Sequence, residues 1–520
     1  MSNSAPVNYD VAIIGLGPVG SLGALLFAEA GLQVVAFEKE PNVYTLPRAV
    51  NLDGEIIRAL QPLGLADIVN AMMQPIRQDE RAGFANSKRE WLFGGYSTAV
   101  GSNGWQPANM FDQPELESFL REQVEQHPNV TTHIGFAVTD FSNQTEHVVV
   151  YARSSSKDVS AAAHYMVACD GANSPTRKVL GIGWRDLGYD QDWLVVDVTM
   201  HGAHDLANEV LQICDPDRIH TYVATKDPYR RWEFQLNPGE TPEHMLRDAT
   251  IQSLLDGWVS RDGYTLRRAA VYQFHAAVAD TWQAGRVFLA GDAAHQTPPF
   301  LGQGMNSGMR DVINLAWKLP LVLNGRCLPG LLETYQAERD AHAHDLVSWA
   351  VDMGHLMEHL ADKEAAARAG RPVPEPKNST QASGYGQGRE QPPIRSGAVI
   401  FEQISNEGLT GYLMPQPVVR NAQGQELRFD YLLGPNFALL TNGHVELSQE
   451  SLVMMSALHV KSIDVRTLTL VNGTFPDQLQ DNEAVVVRPD RLVFGHTDAK
   501  ITVDRLISSL AQALSVKESL

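Results

Sequence analysis

The strongest constraint on this chain is a turn that only glycine can make. Gly15-Leu-Gly-Pro-Val-Gly20 follows the apolar run Val11-Ala-Ile-Ile14, which reads as a buried strand, and precedes Ser21 to Ala30, which reads as a helix. That order lets backbone N–H groups approach a pyrophosphate, with the positive end of the helix dipole behind them. Gly15, Gly17, Pro18, Val19 and Gly20 are therefore candidate ligand contacts. A second apolar strand, Gln33 to Phe37, ends in Glu38, about twenty residues past the first glycine, where a carboxylate can accept both ribose hydroxyls of a dinucleotide. The same carboxylate argues against a 2′-phosphate in that pocket. A glycine turn alone can be purely structural; strand, helix and terminal acid together favour the ligand.

Composition sets outer bounds. A chain of 520 residues is too long for one ordinary core, so two or three domains are expected. A net charge of −20 argues against a nucleic-acid partner. Met-Ser-Asn-Ser-Ala-Pro lacks a basic region before an apolar stretch, so the run from Val11 reads as a core strand rather than a signal peptide. No apolar run approaches the ~20 residues of a membrane span. Cys169, Cys214 and Cys327 are far apart, without CxxC or metal-ligand spacing. No metal site is expected, and the thiols fit a reducing cytoplasm.

The pattern divides the chain. Residues 1–183 alternate strand and helix signals, as in a doubly wound layer with β insertions. Residues 184–280 shift to short alternating stretches such as Trp193-Leu-Val-Val-Asp-Val-Thr199 and Arg231-Trp-Glu-Phe-Gln-Leu236, which read as an antiparallel, substrate-facing sheet. Residues 281–362 return to the first unit and add helices over 308–323 and 331–360, with Pro320 expected to kink or end the former. Residues 363–397, rich in Pro, Gly, Ser and Gln from Arg371 to Pro393, read as a linker, and 398–520 as a separate small α/β domain with a terminal helix from Thr502.

Two further elements sharpen the ligand. In Gly285-Arg-Val-Phe-Leu-Ala-Gly-Asp-Ala-Ala-His295, a buried strand ends at Gly291 and Asp292, whose carboxylate can hydrogen-bond a ribityl hydroxyl. Pro298-Pro299 then forces an extended turn. Gly302-Gln-Gly304 opens a helix whose N-terminus can face a flavin pyrimidine ring, where reduction places negative charge. The third element, Ala168-Cys-Asp-Gly-Ala-Asn-Ser-Pro-Thr-Arg177, combines an Asp-Gly turn with polar donors and a basic residue.

These three elements, in this order and spacing, resemble the single-component FAD-dependent aromatic hydroxylases, the group A flavoprotein monooxygenases. The resemblance covers essentially the whole chain. It includes Tyr44-Thr-Leu-Pro-Arg-Ala49 with Asp53, Asn306-Ser-Gly-Met-Arg-Asp311, Asn314-Leu-Ala-Trp-Lys318 and Val487-Arg-Pro-Asp-Arg491. It implies an α/β fold: a Rossmann-like FAD-binding domain, an antiparallel-sheet substrate domain and a C-terminal thioredoxin-like domain. The last holds no cysteine and cannot exchange thiols. By the same resemblance Glu38 serves the adenosine ribose, Lys39 is a further cofactor contact, and Arg48, Gln113 and Arg121 serve the flavin phosphate or ribityl region. Asp170 and Gly171 lie near FAD and the nicotinamide donor, and Gly291, Asp292, Pro299, Gly302, Gly304, Met305 and Asn306 hold the flavin. A solvated face of the helix 114–126 is the alternative for Arg121.

The implied activity is hydroxylation of a phenol, such as 3-(3-hydroxyphenyl)propionate or a similar phenolic acid. NADH or NADPH reduces FAD, and O2 is trapped as a flavin C4a-hydroperoxide that an electron-rich ring carbon attacks. Ionising the phenol activates that carbon, so the site needs a partner for the phenol proton. Tyr272, Asp53 and His275 compete for this role. His275 lies three residues from Tyr272, hence on the opposite strand face unless a bulge intervenes, and relatives carry their histidine one position earlier, where this chain has Phe274. A substrate carboxylate would want a cation among Arg218, Arg230, Arg231, Arg267 and Arg268, between which the sequence does not choose. A bulkier polyketide-type phenol and a non-catalytic flavin redox sensor are the other readings. The resemblance also suggests a homodimer.

Overall fold

The apolar run after the N-terminus becomes the middle of a parallel sheet in the computed structural model, which describes residues 7–75, 81–95, 100–373, 391–405, 408–477, 479 and 483–517. Tyr9–Ile14 runs parallel to Asp158–Ala168 on one side and Val34–Glu38 on the other, with Val11 opposite Tyr165 and Val34. Val130–Ile134 and Val287–Leu289 extend the sheet in the same sense, and the hairpin of Ala137–Asn143 and Val148–Arg153 is the β insertion. Parallel strands are covered on both faces, which is why they read as unbroken apolar runs; Val11, Ala12 and Ile13 are wholly buried. On one face the helices Pro18–Glu29 and Gly304–Leu323 pack together at Gly23, where a Cβ would stand 3.1 Å from Val312.

The second sheet has eight strands and is built on two long antiparallel ones, Trp184–Met200 and Tyr264–Ala279. Strict alternation sorts its residues. Leu194, Val196, Val198, Trp232 and Phe234 pack under the helices Pro242–Met245 and Asp248–Leu255, while Val195, Arg231, Glu233, Arg268 and Tyr272 face a cavity. Two strands of this sheet, Ala82–Ala85 and Trp91–Gly95, come from the first 183 residues, so the cut at 183 does not separate the sheets cleanly.

Beyond the helices lies a four-stranded sheet in the order Lys461–Asp464, Ala438–Thr441, Ala484–Val487, Val493–His496, with the first pair parallel and the others antiparallel. Gln449–Ala457 joins the parallel pair, and Val503–Ala513 follows the last strand with Thr502 as its N-cap, accepting the Arg505 N–H. Three expectations need correction. Glu333–Arg368 is one continuous helix, so 363–368 is not linker, because Ala361 and Ala366 continue its buried face. Residues 391–397 are tied down by Ile394, buried and bonded to the Gly411 carbonyl, while 374–390 lie outside the described residues. Pro320 does not end its helix, which starts at Gly304 rather than Gly308 and runs to Leu323. Among the described residues no helix is long and apolar enough to cross a membrane.

A buried charge cluster joins this last unit to the first. Glu338, wholly buried, accepts from Arg488 at 2.8 Å and Asn314 at 2.6 Å, pairs with Lys318 at 2.9 Å, and takes the Ala398 N–H at 2.8 Å. Burial alone would raise the Glu338 carboxyl; Arg488 and Lys318 outweigh it and hold the group at about 2. Lys318 is itself lowered to about 8, since burial and the Arg488 charge exceed its attraction to Glu338. Arg488, also bonded to Asp490, is thus the cation that keeps Glu338 ionised.

A carboxyl depressed in the folded state contributes stability above its ordinary value and loses it as pH falls. Urea stability of the protein should therefore drop as pH falls from 4.5 to about 2. Arg488→Met should cost about 3 to 5 kcal/mol at pH 7 by removing the stronger of the two cations at Glu338, and should flatten that acid-side slope. An unchanged urea midpoint in Arg488→Met would refute this account.

Candidate functional site

A cavity of about 1750 Å³ runs from the glycine turn to the inner face of the second sheet. The turn is built as a cradle. Gly15 sits at φ +93°, where a Cβ would meet the Cys169 carbonyl oxygen at 2.5 Å, and a Cβ on Gly20 would lie 1.9 Å from the Gly15 oxygen. At Gly17 a Cβ would meet nothing within 4 Å, so the backbone there borders open space with the N-terminus of Pro18–Glu29 behind it. Gly17, Pro18, Val19 and Gly20 all line the cavity. These features fit a pyrophosphate.

The acid and the basic residues near the turn are more tightly held than their sequence positions suggest. Glu38 is buried and accepts the Leu16 N–H at 2.7 Å and the Glu40 N–H at 2.8 Å, which uses about half of its acceptor positions. Lys39 points to solvent beside Glu40. Arg121, on the helix Gln113–Gln126, is not on a solvated face: it is buried, donates to the Leu16 carbonyl at 2.9 Å, and pairs with Glu117 and Glu38 at 3.2 and 3.4 Å. It braces the turn from behind. Gln113 accepts the N–H groups of Arg48 and Ala49 at 3.0 and 2.7 Å, so it shapes the loop that presents Arg48, whose guanidinium lies over the Tyr44 ring.

The second glycine element lies against the first: a Cβ on Gly291 would stand 3.3 Å from Val19. Asp292 opens onto the cavity yet lies deep in the protein; loss of solvent raises its carboxyl, against the charges of His295 and Arg48. Gly291, at φ +64°, donates its N–H to Asp311 at 2.9 Å, and His295 and Arg339 reach the same carboxylate at 2.9 Å each. Burial would raise Asp311, but His295 and Arg339 together hold it low. Pro299, Gly302 at φ +62°, Gly304 and Met305 line the cavity where the helix Gly304–Leu323 begins. Asn306 is wholly buried there: it donates to the Asn51 and Gly302 carbonyls and accepts the Asp53 N–H. Asp53 is committed to Arg310 at 2.6 Å and Gln303 at 3.2 Å. Burial raises its carboxyl, with Arg310 opposing. Its place is in the lattice that holds this helix terminus.

The Asp-Gly element borders the same space. Asp170 accepts the Thr176 N–H at 3.0 Å through one oxygen, while its Oδ1 is buried with no donor among the described residues. Gly171, at φ +80°, has nothing within 4 Å of a Cβ position. An orphaned acceptor beside an open glycine fits a bound group with hydroxyl or amide donors.

On the sheet wall one carboxylate organises two arginines. Asp197 accepts from Arg231 Nε at 2.7 Å and from Arg268 Nε at 2.9 Å. Arg231 continues to the carbonyls of Arg48 and Pro47 at 2.8 and 3.0 Å, tying the sheet to the loop that presents Arg48. Arg268 donates to the Tyr272 oxygen at 3.1 Å. The other arginines are used elsewhere: Arg218 on Glu240, Arg230 on Asp227 and Arg267 on Asp112. His275 pairs with Asp190 on the strand face opposite Tyr272; the register through Tyr272 and His275 is regular, so no bulge reconciles them. Asp197, Glu233, Arg310, Asp311 and Arg339 carried no assigned role in the sequence. Charged residues at alternate positions of an apolar strand, as in Arg231 and Glu233, were the available signal.

The FAD binding domain model matches residues 8–350, and the HcaD C-terminal domain model matches residues 411–513. The chain is 31% identical to 3-(3-hydroxy-phenyl)propionate/3-hydroxycinnamic acid hydroxylase 2 of Burkholderia vietnamiensis (strain G4 / LMG 22486), over 94% of each chain. It is 30% identical to 3-(3-hydroxy-phenyl)propionate/3-hydroxycinnamic acid hydroxylase of Escherichia coli O157:H7 (strain EC4115 / EHEC), over 98% of this chain and 95% of the other. Its fold matches the crystal structure of aklavinone-11 hydroxylase with FAD and aklavinone at a TM-score of 0.79, with 22% identity over 98% of this chain and 100% of that one. A cradle shaped for a dinucleotide, a domain model that spans more than half the sequence and full-length likeness to hydroxylases agree: the chain belongs to the FAD-dependent aromatic hydroxylases.

Proposed function

We propose that this enzyme hydroxylates a phenol whose oxygen is held at Tyr272, with 3-(3-hydroxyphenyl)propionate, for which the relatives are named, as the first compound to test. The observation that carries the reading is the Asp197–Arg268–Tyr272 chain on the cavity face. The Tyr272 oxygen already accepts from Arg268, so its own proton is available to an oxygen in the cavity. A phenolate receives that proton as a hydrogen bond, and the Arg268 charge favours the ionised ring, which raises the electron density of the ortho and para carbons. Bound FAD supplies hydride acceptance from NAD(P)H and activation of O2. Gly17 to Gly20 would hold its pyrophosphate, Glu38 the adenosine ribose and Asp292 the ribityl chain. Asp53, Asn306 and Arg310 fix the helix terminus at Gly304, which would face the flavin ring. Lys39 and His275, exposed and paired, fit this reading least.

The C-terminal unit reads as thioredoxin-like on its strand order, a βαβ pair followed by two antiparallel strands and a helix. With no cysteine beyond Cys327 its part is packing. The reading also carries a homodimer, which light scattering of the purified protein tests.

NAD(P)H consumption by the FAD-loaded protein in aerated buffer should rise with 3-(3-hydroxyphenyl)propionate and give a product one oxygen heavier. A bulkier phenol should be tried in parallel, since the cavity is continuous from cradle to sheet. Oxygen transfer to no phenol at all would sink the proposal. Asp292→Ala should lower FAD affinity by about tenfold or more while the protein keeps its circular dichroism spectrum. Tyr272→Phe should reduce flavin at the normal rate but release most of the reducing equivalents as hydrogen peroxide; full product yield in that variant would remove Tyr272 from the site.

A further inference from the structure

The inner face of the second sheet carries four charged side chains in two transverse rows. In one row Arg268, Asp197 and Arg231 are direct cross-strand neighbours; in the next Val195, Glu233, Thr221 and Gln212 are. The first row is paired within itself. Asp197 takes both arginines, Arg231 also donates to the Pro47 and Arg48 carbonyls, and Arg268 reaches Tyr272. In the second row Thr221 donates to Gln212 at 2.6 Å.

Glu233 is different. It lines the cavity at 6% exposure, accepts no hydrogen bond from any described residue, and has its nearest cation, Arg231 Nη1, at 3.7 Å. Burial raises its carboxyl, Arg231 opposes and Asp197 adds to the rise. Buried carboxylates without donors are uncommon, because each lost hydrogen bond to water needs a replacement. At the Glu233 end of this face the nearest described cation is Arg231, already shared between Asp197 and the loop carbonyls, while Arg268 serves Tyr272. What this end offers is one acceptor.

We propose that Glu233 sets substrate class by accepting a hydrogen bond from an uncharged hydroxyl carried on the substrate's tail, and by repelling a carboxylate there. The proposal rests on the phenol hydroxylase reading above and narrows it. A hydroxyl fills the empty acceptor position and leaves the two arginines and two acids of the face in balance. A carboxylate in the same place would stand against ionised Glu233, whose nearest cation is already paired with Asp197; this is the repulsive element that gives discrimination.

The test compares two ligands with one ring and one tail length, 3-(3-hydroxyphenyl)propan-1-ol and 3-(3-hydroxyphenyl)propionate, on the FAD-loaded full chain. Calorimetry gives the dissociation constants, and mass analysis gives oxygen gain. The wild type should bind the alcohol at least about tenfold more tightly than the acid, and Glu233→Gln should bring the ratio to near one by improving the acid. Equal or tighter binding of the acid by the wild type overturns the proposal, even if Glu233→Gln does not fold. So does an unchanged ratio in a folded Glu233→Gln, and so does failure of both compounds to bind. Binding with the expected ratio but no oxygen gain on either compound upholds the role of Glu233 and refutes the hydroxylation reading instead.

Discussion

Two arginines share one buried carboxylate, and the shape of the cleft follows from that arrangement. Asp197, Arg231 and Arg268 are each nearly inaccessible to water, and a carboxylate in such a place is tolerable only when its charge and lone pairs are answered. Each arginine then carries the constraint further. Arg231 reaches the Pro47 and Arg48 carbonyls, so the substrate sheet cannot shift without moving the loop that presents Arg48. Arg268 reaches Tyr272, so the phenol oxygen of that side chain is placed by the same anion. The cofactor-side loop and the substrate-side hydroxyl are thus registered to one atom group.

The last unit of the chain completes the cleft. The buried Glu338 cluster fixes it to the two long helices, and Arg58, bonded to Asp430 and the Met414 carbonyl, repeats the device at a second point. Arg428 lies over the Trp105 ring at 3.8 Å, and Trp105 in turn donates to Gln61. From this side Gln391 reaches Gln303, which also holds Asp53 and Arg310. Gln391, Pro392, Tyr412 and Leu413 line the cavity. A domain without thiols therefore serves as a wall, and the helix terminus at Gly304 is braced from both directions.

The parts legible in the sequence were those whose causes are local. A Cβ at Gly20 has nowhere to go because of Gly15, five residues away, and the Thr502 cap is answered by Arg505. Alternation likewise assigned the faces of Trp193 to Thr199 and set His275 opposite Tyr272. The unreadable parts depend on partners far along the chain. Arg58 and Asp430 are 372 positions apart, and neither has a local pattern that names the other. Arg121 shows the same limit: a charged residue on an amphipathic helix is expected to face water, and only the meeting of Glu38 and Glu117 buries it. Pro320 failed as a stop signal: it removes one donor, its own, to the Ala316 carbonyl, and the helix runs on to Leu323, with the Asn324 N–H bonded to the Pro320 carbonyl.

Charge in this molecule works by place rather than by sum. A net charge of −20 slows the approach of any anion, phosphate-bearing cofactors included, so the protein must capture such groups by local cations and dipoles. The glycine-turn end of the cavity has them: the N-terminus of Pro18–Glu29, the solvent-open Arg48, and Arg177 beside the Asp-Gly turn, with its Nε buried and unbonded. The sheet end has arginines too, but both are paired with Asp197, and Glu233 adds an acceptor with no donor among the described residues. One continuous cavity thus joins an end with unconsumed cations and a helix dipole, suited to phosphates, to a sheet end whose four charged side chains are nearly neutral in total, where by the proposal above a neutral donor is preferred.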